Sequence, residues 1–378
     1  MIEGRRPKVA HLTSVHATTD TRIVHKECAT LAGEGYDVVL IAPGPPCVLP
    51  ANVRHHAVPL PRNRFERFTQ TVPSVYRAAA EECADVYHFH DPELIFAGAL
   101  LRARGARVIF DVHEDVPLDI QTKPWIPSPL RPVVSGIAAF VLRCAEKFFT
   151  AIVSATPSIA KTFTHRKGII VRNYPIRGEF GVEAAPMPYS QRPTTALYLG
   201  SITALRGAAE MIRAMESPAL PAGARLLMVG PFEDEELRAR CAALPGWARV
   251  DAPGTLPREE LPSILGAARM GLLVFQPAPN HDNAMPTKFF EYLGAGLPVV
   301  TSKLLTAFHE LVERYRCGIL VDPRDSDEIA EAMKYLFEHP EEAQAMGERG
   351  KQAVTDGYEW GSEARALVSL YREIARCS

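Results

Sequence analysis

No run in the chain approaches the roughly 20 uncharged apolar residues that a helix needs to cross a bilayer, and no pair of cysteines is spaced as C-x-x-C. The seven cysteines, Cys28, Cys47, Cys83, Cys144, Cys241, Cys317 and Cys377, are odd in number and scattered. That argues for reduced thiols and against a structural zinc site. Neither G-x-G-x-x-G after a strand nor G-x-x-x-x-G-K-[ST] occurs, which removes most support for nicotinamide binding and for a P-loop ATPase. Net charge is −2, with no basic excess for a nucleic-acid binder. The start, MIEGRRPKVAHLTS, passes from a basic clip into a strand-like segment without an apolar core and cleavage site, so a cytoplasmic protein is expected.

What is present is ordinary globular composition, 47% apolar and 23% charged over 378 residues, enough for two cores. Charge is uneven: residues 1–185 carry 22 Lys+Arg against 18 Asp+Glu, and the remainder 20 against 26. Short apolar runs ending in polar or turn residues recur between segments of helical period. In the first half they are KVAHLTS, YDVVLIAPG, DVYHFHD, ARVIFDVHE, FFTAIVSATP and GIIVRNYP. In the second they are TALYLGS, RLLMVGP, ARVDAPG, GLLVFQP, LPVVTS and GILVDP. Alternation of this kind predicts two parallel α/β sheets, each covered by helices on both faces. The Gly- and Pro-rich stretch 178–194 lacks either periodicity and reads as a linker. The expected domains are 1–185 and 186–357, with residues 358–378 forming an amphipathic helix that packs back on the first domain.

Ligands in such sheets bind beyond the carboxyl ends of the strands, so the polar residues there are the candidates. After the first strand of the second half comes YLGSITALRGAAEMIRAM. Gly200 allows a close backbone turn, a helix begins near Gly207, and Arg206 stands at its mouth, a combination suited to a diphosphate. The alternative is a surface arginine that merely precedes a helix. Lys288 and Glu291 in HDNAMPTKFFE are three apart and share a helix face if the helix starts by Met285 or Pro286. Lysine is a point donor to phosphate, and glutamate can accept from both hydroxyls of a ribose. The alternative there is a surface ion pair.

NAMPTKFFEYLGAGLPVVTS resembles the donor-site signature of GT-B glycosyltransferases in the retaining, sucrose-synthase-like group, CAZy family four. The similarity continues through HLTSVHATTDTRIVHKECATLAGEGYDVVLIAPG, VYHFHDPELIFAGALLRARGARVIFDVHED, SATPSIAKTF, VRNYP and YLGSITALRGAAEMIRA. It implies two Rossmann-like α/β/α domains facing each other across a cleft, the first binding acceptor and the second a nucleotide-sugar donor. By that resemblance Arg206 and Lys288 hold the donor diphosphate and Glu291 the ribose. Thr255 and Leu256 lie against the base, and Asn283, Ala284 and Met285 line the sugar end. The family often has a glutamate where Asn283 stands and an arginine where Ser201 stands, departures shared with a capsule- and envelope-polysaccharide branch. His113 in FDVHED resembles the histidine that borders the transferred sugar, and competes with a reading as a hydrogen-bonded structural histidine.

His16, Asp20 and Arg22 follow the first strand and are expected to face the same cleft, where relatives often carry a glycine-rich loop that this chain lacks. His16 is the candidate base should the reaction invert. His90 belongs to HFHDPEL, where His88, His90, Asp91 and Glu93 raise a metal reading. That reading is set aside, because the motif lacks a distant third ligand. The resemblance implies a transferase that needs no cofactor and takes a nucleotide sugar, a UDP-sugar before a GDP-sugar, delivering hexose with retention to a saccharide or lipid-linked saccharide. RNRFERFTQTVPSVYRAA, basic and aromatic, suits an anionic membrane surface. WIPSPLRPVVSGIAAFVLRCAEKFFTAIVSA reads instead as helices packed on the sheet. Two other readings compete: a soluble transferase acting on a small metabolite, and a GT-B-shaped sugar-nucleotide epimerase or binding module.

Overall fold

The computed structural model describes residues 6–122, 126–163, 168–179, 188–278 and 285–376. The chain divides into two compact units, one of Met1–Asn173 with Trp360–Ser378 and one of Tyr174–Glu359. The first unit is a seven-stranded parallel sheet in the order β3-β2-β1-β4-β5-β6-β7. Its strands are β1 (Lys8–Leu12), β2 (Asp37–Pro43), β3 (Arg54–Val58), β4 (Val86–Phe89), β5 (Arg107–Val112), β6 (Ala151–Ser154) and β7 (Gly168–Ile170). The second is a six-stranded parallel sheet, β10-β9-β8-β11-β12-β13. It comprises β8 (Thr195–Leu199), β9 (Arg225–Val229), β10 (Val250–Gly254), β11 (Met270–Leu273), β12 (Val299–Ser302) and β13 (Gly318–Val321). Both orders reverse direction beside their first strand, the doubly wound arrangement with a switch point there.

Every run singled out in the sequence forms a strand. β3 is the strand that the pattern does not reveal. Its residues, RHHAV, lie at the sheet edge and bury only Val58 fully, so no apolar alternation marks it. The helix expected in TRIVHKECATLAGEG is present but wound as a π-helix over Thr21–Cys28 before Ala29–Gly33. The units meet at Asn173/Tyr174, ahead of the 178–194 stretch. The reason is packing: the Arg172 backbone N–H donates to Glu363 Oε2 at 2.7 Å within the first unit, while the Tyr174 ring stands edge-on to Phe290 and Tyr358 of the second. The terminal helix, Trp360–Arg376, belongs to the first unit. There Trp360 Nε1 donates to Thr30 Oγ1 at 2.9 Å, and Tyr371 is buried.

In the first unit the two sheet faces differ in chemistry. Ala10, Leu12, Tyr87, Phe89, Val108 and Phe110 point to one side. There they pack with Val75, Leu101 and Leu142 from the helices Val72–Glu82, Ile95–Ala103 and Arg131–Phe148. The alternate residues of the same three central strands, His11, His88 and Asp111, point to the other side, with His90 just beyond β4, and all four are buried. Period-2 alternation therefore places a polar layer on the opposite face of strands whose other face is apolar.

Candidate functional site

In the second unit the switch point lies between β8 and β11. Gly200, at the end of β8, has φ +106, and a Cβ placed on it would lie 2.6 Å from Lys288 Nζ. Only glycine leaves room for that ammonium and tolerates the left-handed conformation. Arg206 follows in a short turn capped by Thr203, whose Oγ1 accepts from the Arg206 backbone N–H at 3.2 Å. Its guanidinium donates through Nη1 to Ser201 O at 3.1 Å. Lys288 arrives from the opposite side of the switch point, in the first turn of the Thr287–Gly294 helix that follows β11. One cation is thus carried by the segment after β8 and the other by the segment after β11.

Three aromatic and backbone features fix this pair. The Phe275 ring, just past β11, lies 5.7 Å from Arg206 Cζ and 6.0 Å from Lys288 Nζ. The Tyr198 ring lies 5.8 Å from Lys288 Nζ, and its hydroxyl donates to Ser201 O at 2.7 Å. Gly230 ends β9 as Gly200 ends β8, and a Cβ on it would overlap the Gly200 carbonyl at 2.1 Å. Burial, then the nearby Arg206, lowers the Lys288 pKa to about 8, with Glu291 opposing. Two like charges held together in a partly buried turn are poised for an anion that would neutralise both. Phe275, Tyr198 and Gly230 carry no polar signal in the sequence beyond their place at strand ends.

Glu291 lies one turn beyond Lys288 on the same helix, giving the shared face that the spacing predicted. Met285 and Leu256 both pack on the apolar cluster that contains Phe290 and Leu265, and Thr255 beside Leu256 is exposed. Asn283 and Ala284, with His281 and Asp282, lie outside the described residues. The helix after Gly207 spans Ala208–Ala214, only two turns, so the electrostatic weight at this turn rests on the two side-chain cations.

The first unit places its candidates differently from expectation. Arg22 does not face solvent. It is buried, donating from Nη2 to Asp111 Oδ1 at 2.8 Å, from Nε to Asp111 Oδ2 at 3.1 Å and from Nη1 to Val171 O at 2.7 Å. His90 is also buried. Its Nε2 is 2.9 Å from His11 Nδ1 and its Nδ1 is 3.2 Å from His113 Nε2. His16 lies between two carboxylates, Nδ1 at 3.2 Å from Asp20 Oδ2 and Nε2 at 3.3 Å from Asp91 Oδ1. Burial opposes its charge, but hydrogen bonds and attraction from Asp20 and Asp91 outweigh it and push the pKa up to about 10. That environment favours the protonated imidazole, the form opposite to the one a general base needs. Asp20 accepts from the Ile23 backbone N–H at 2.8 Å, capping the helix that carries Arg22.

His113 is, like His16, both partly exposed and oriented. Its Nε2 is 3.0 Å from Asp111 Oδ2, and its ring centroid lies 5.3 Å from that of His16. Asp111 is itself held by Arg22, so the chain Arg22–Asp111–His113 fixes the imidazole by a charged hydrogen bond. Among the described residues, Glu27, His88, His90 and Asp111 could each offer one metal-ligating atom, all within 4.8 Å of one another. This differs from the HFHDPEL grouping, since Asp91 is taken by Thr13 Oγ1 and the Ser14 N–H. Arg22 already supplies the positive charge here, donating to Asp111 with its Nε 3.0 Å from Glu27 Oε1. That Nε–H is aimed at Asp111, and burial together with the Asp111 charge raises the Glu27 pKa well above the carboxylate range.

These titrations predict opposite pH limbs. Burial lowers the His90 pKa from 6.5 to about 4, against the pull of Asp111. The unfolded chain therefore takes up that proton first, and stability present above pH 6.5 is lost as pH falls toward 4. His16 runs the other way: its contribution is complete below pH 6.5 and is lost as pH rises toward 10. Melting temperature is expected to peak near neutrality, and His16→Gln to flatten the alkaline limb and, because His16 also holds the Asp20 and Asp91 carboxyls below their usual range, to weaken the acid limb. A pH series of thermal melts in which the variant retains both limbs would contradict this assignment.

Two family models match the chain. One, described as glycosyl transferases group 1, covers residues 187–353, and one, described as a glycosyl transferase 4-like domain, covers residues 21–177. Glycogen synthase of Mycobacterium tuberculosis is 24% identical over 258 residues, a match covering 65% of this chain and 59% of that protein. The fold matches a sucrose-phosphate synthase from Thermosynechococcus elongatus with TM-score 0.79 at 18% identity, over 99% of this chain and 100% of the other. It also matches Anabaena HepE in complex with UDP and glucose with TM-score 0.72 at 14% identity, over 97% and 100%. The architecture of both units is that of GT-B glycosyltransferase structures.

Proposed function

We propose that the chain, whose residues 187–353 match the glycosyl transferases group 1 model and residues 21–177 the glycosyl transferase 4-like domain model, transfers a hexose from a nucleotide diphosphate sugar, with retention, to a saccharide acceptor carried on a lipid. The observation that carries this reading is the convergence of Lys288 and Arg206 over the Gly200–Ser201 turn at the switch point. The second unit is the donor domain: the diphosphate lies on the two cations, the ribose on Glu291, and the base beside Thr255 and Leu256. A UDP-sugar is the favoured donor and a GDP-sugar the second. The solved HepE complex with UDP and glucose shares the fold and supports that order.

Transfer needs stabilisation of negative charge as the sugar–phosphate bond breaks. Preorganised cations supply it where charge develops, so Lys288 and Arg206 act on the leaving diphosphate while the departing phosphate oxygen takes the acceptor's proton. Retention is the course the family resemblance implies, and in it the leaving phosphate oxygen, not a protein side chain, serves as the base.

The reading predicts acceptor-dependent release of nucleoside diphosphate and a product whose anomeric configuration, read by NMR, equals that of the donor. No metal is required in this scheme, so prior treatment with a chelator is expected to leave the release rate unchanged. Donor binding without acceptor-dependent release would favour the binding-module reading, and an inverted product would contradict retention. Assembly of envelope or capsular polysaccharide is the setting we assign, because lipid-carried saccharides are its intermediates.

A further inference from the structure

We propose that the helical layer of Val72–Glu82, Ile95–Ala103 and Arg131–Phe148 in the first unit is a docking face for an anionic lipid bilayer. The argument begins with Arg131–Phe148. Its inner face buries Ser135, Leu142, Ala145 and Glu146. Its outer face, where a surface helix normally carries charge, presents Val133, Ile137, Phe140 and Phe148, with Phe140 69% exposed. The spacing of these four is helical, so they form one stripe. Arg143 and Lys147 are the charges at its exposed positions, and no acidic residue is among them. The bland expectation for this segment, a helix simply packed on the sheet, accounts for one of its faces only.

The neighbouring helix repeats the pattern. Ile95–Ala103 packs against Arg131–Phe148 and exposes Phe96, at 75%, and Leu100, again with no exposed acid. Val72–Glu82 packs on its other side, and the turn leading into it exposes Phe65 and Phe68 beside Arg62 and Arg64. Of the acids at this edge, Glu66 accepts from the Arg62 backbone N–H at 2.9 Å and Glu93 pairs with Arg67 at 2.9 Å, while Glu81 is exposed on Val72–Glu82 one turn from the exposed Arg77. In the second unit, by contrast, Leu205 and Tyr335 are the only strongly exposed large apolar side chains among the described residues. The apolar surface is thus concentrated on one helical layer, well beyond the scattered exposure that any surface shows.

The charge selects the occupant. Aromatic and aliphatic side chains that project between arginines and lysines, on two helices, Ile95–Ala103 and Arg131–Phe148, whose exposed positions hold no acid, match an interface of acyl chains below anionic headgroups. A protein partner with an acidic rim would need its own apolar counter-face. A bilayer supplies both at once, without specific complementarity. No helix of the described residues is long and apolar enough to cross a membrane, so the contact proposed is with the surface. The inference deepens the lipid-carried acceptor reading, but its test involves no sugar transfer, so either can fail alone.

The test is flotation of the full chain with vesicles of phosphatidylcholine, with and without phosphatidylglycerol. The wild type is expected to float with the anionic vesicles at low salt and to be released at high salt. Ile137→Asp/Phe140→Asp, which alters exposed positions only, should reduce binding roughly tenfold or more, with an unchanged melting temperature and nucleotide response. Absence of wild-type binding to anionic vesicles overturns the proposal, as does equal binding by the variant. Light scattering provides the other arm. A wild-type dimer that the same double variant dissociates, without vesicle binding, would assign the face to a second copy of the chain and overturn the bilayer.

Discussion

Lys288→Ala is expected to abolish the rise in melting temperature that a nucleoside diphosphate gives the wild type and to lower kcat/KM about 10- to 150-fold, the equivalent of one charge-assisted hydrogen bond of about 1.5 to 3 kcal/mol. The geometry gives the reason. Lys288 Nζ sits over Gly200 at the point where Arg206 also turns inward, and with the ammonium gone a diphosphate meets one cation instead of two. Gly200→Ala should produce a smaller loss without touching either charge, because its φ of +106 strains alanine and its Cβ, 2.6 Å from Nζ, displaces the flexible end of the lysine. A pKa of about 8 for Lys288 in the free protein further predicts a kcat/KM that falls as pH rises through that value. Lys288→Arg, charged throughout, should remove that alkaline limb even if its longer side chain lowers the plateau. Retention of full nucleotide response by Lys288→Ala would place the donor elsewhere.

Arg22→Met is expected to destabilise the protein by about 3 to 5 kcal/mol, the cost typical of stripping one partner from a buried ion pair. Asp111 is buried and takes both of its strongest hydrogen bonds from this guanidinium, with Glu27 close by. Removing Arg22 leaves an uncompensated carboxylate within a layer of histidines, and burial would then raise its pKa. Arg22→Lys should recover part of the loss, since it keeps a charge but not the forked donors that reach Asp111 and Val171 together. Chemical denaturation provides the measurement. The nucleotide response of the remaining folded protein should persist, because the donor cations lie in the other unit. A midpoint like that of the wild type would show that Asp111 is compensated in some other way.

The fold was legible wherever burial imposes a period. Twelve runs of buried strand residues could be read because parallel strands covered on both faces are apolar throughout, whereas Arg54–Val58, half exposed at an edge, left no such trace. Lys288 and Glu291 were readable because a helix face is a matter of spacing, and Arg206 because it follows a strand and a glycine. The first unit misled for a physical reason. In HFH and DVH polar residues alternate with apolar ones, which ordinarily marks a solvated face, but here that face is closed by the Arg22 helix and by Tyr371, whose hydroxyl lies 2.8 Å from His88 Nδ1. Whether a polar residue faces water or another polar residue depends on an element 283 positions away in sequence. No local pattern carries that information, so the burial of Arg22 and His90 could not be read from the sequence.

The most direct test of a donor site at the switch point is isothermal titration of UDP and GDP into the wild type and Glu291→Ala. The account predicts that one nucleoside diphosphate binds the wild type and that Glu291→Ala weakens it, while the corresponding free diphosphate, which lacks a ribose, loses little. Equal affinity of both proteins for the nucleotide, or no binding to either, would contradict the account.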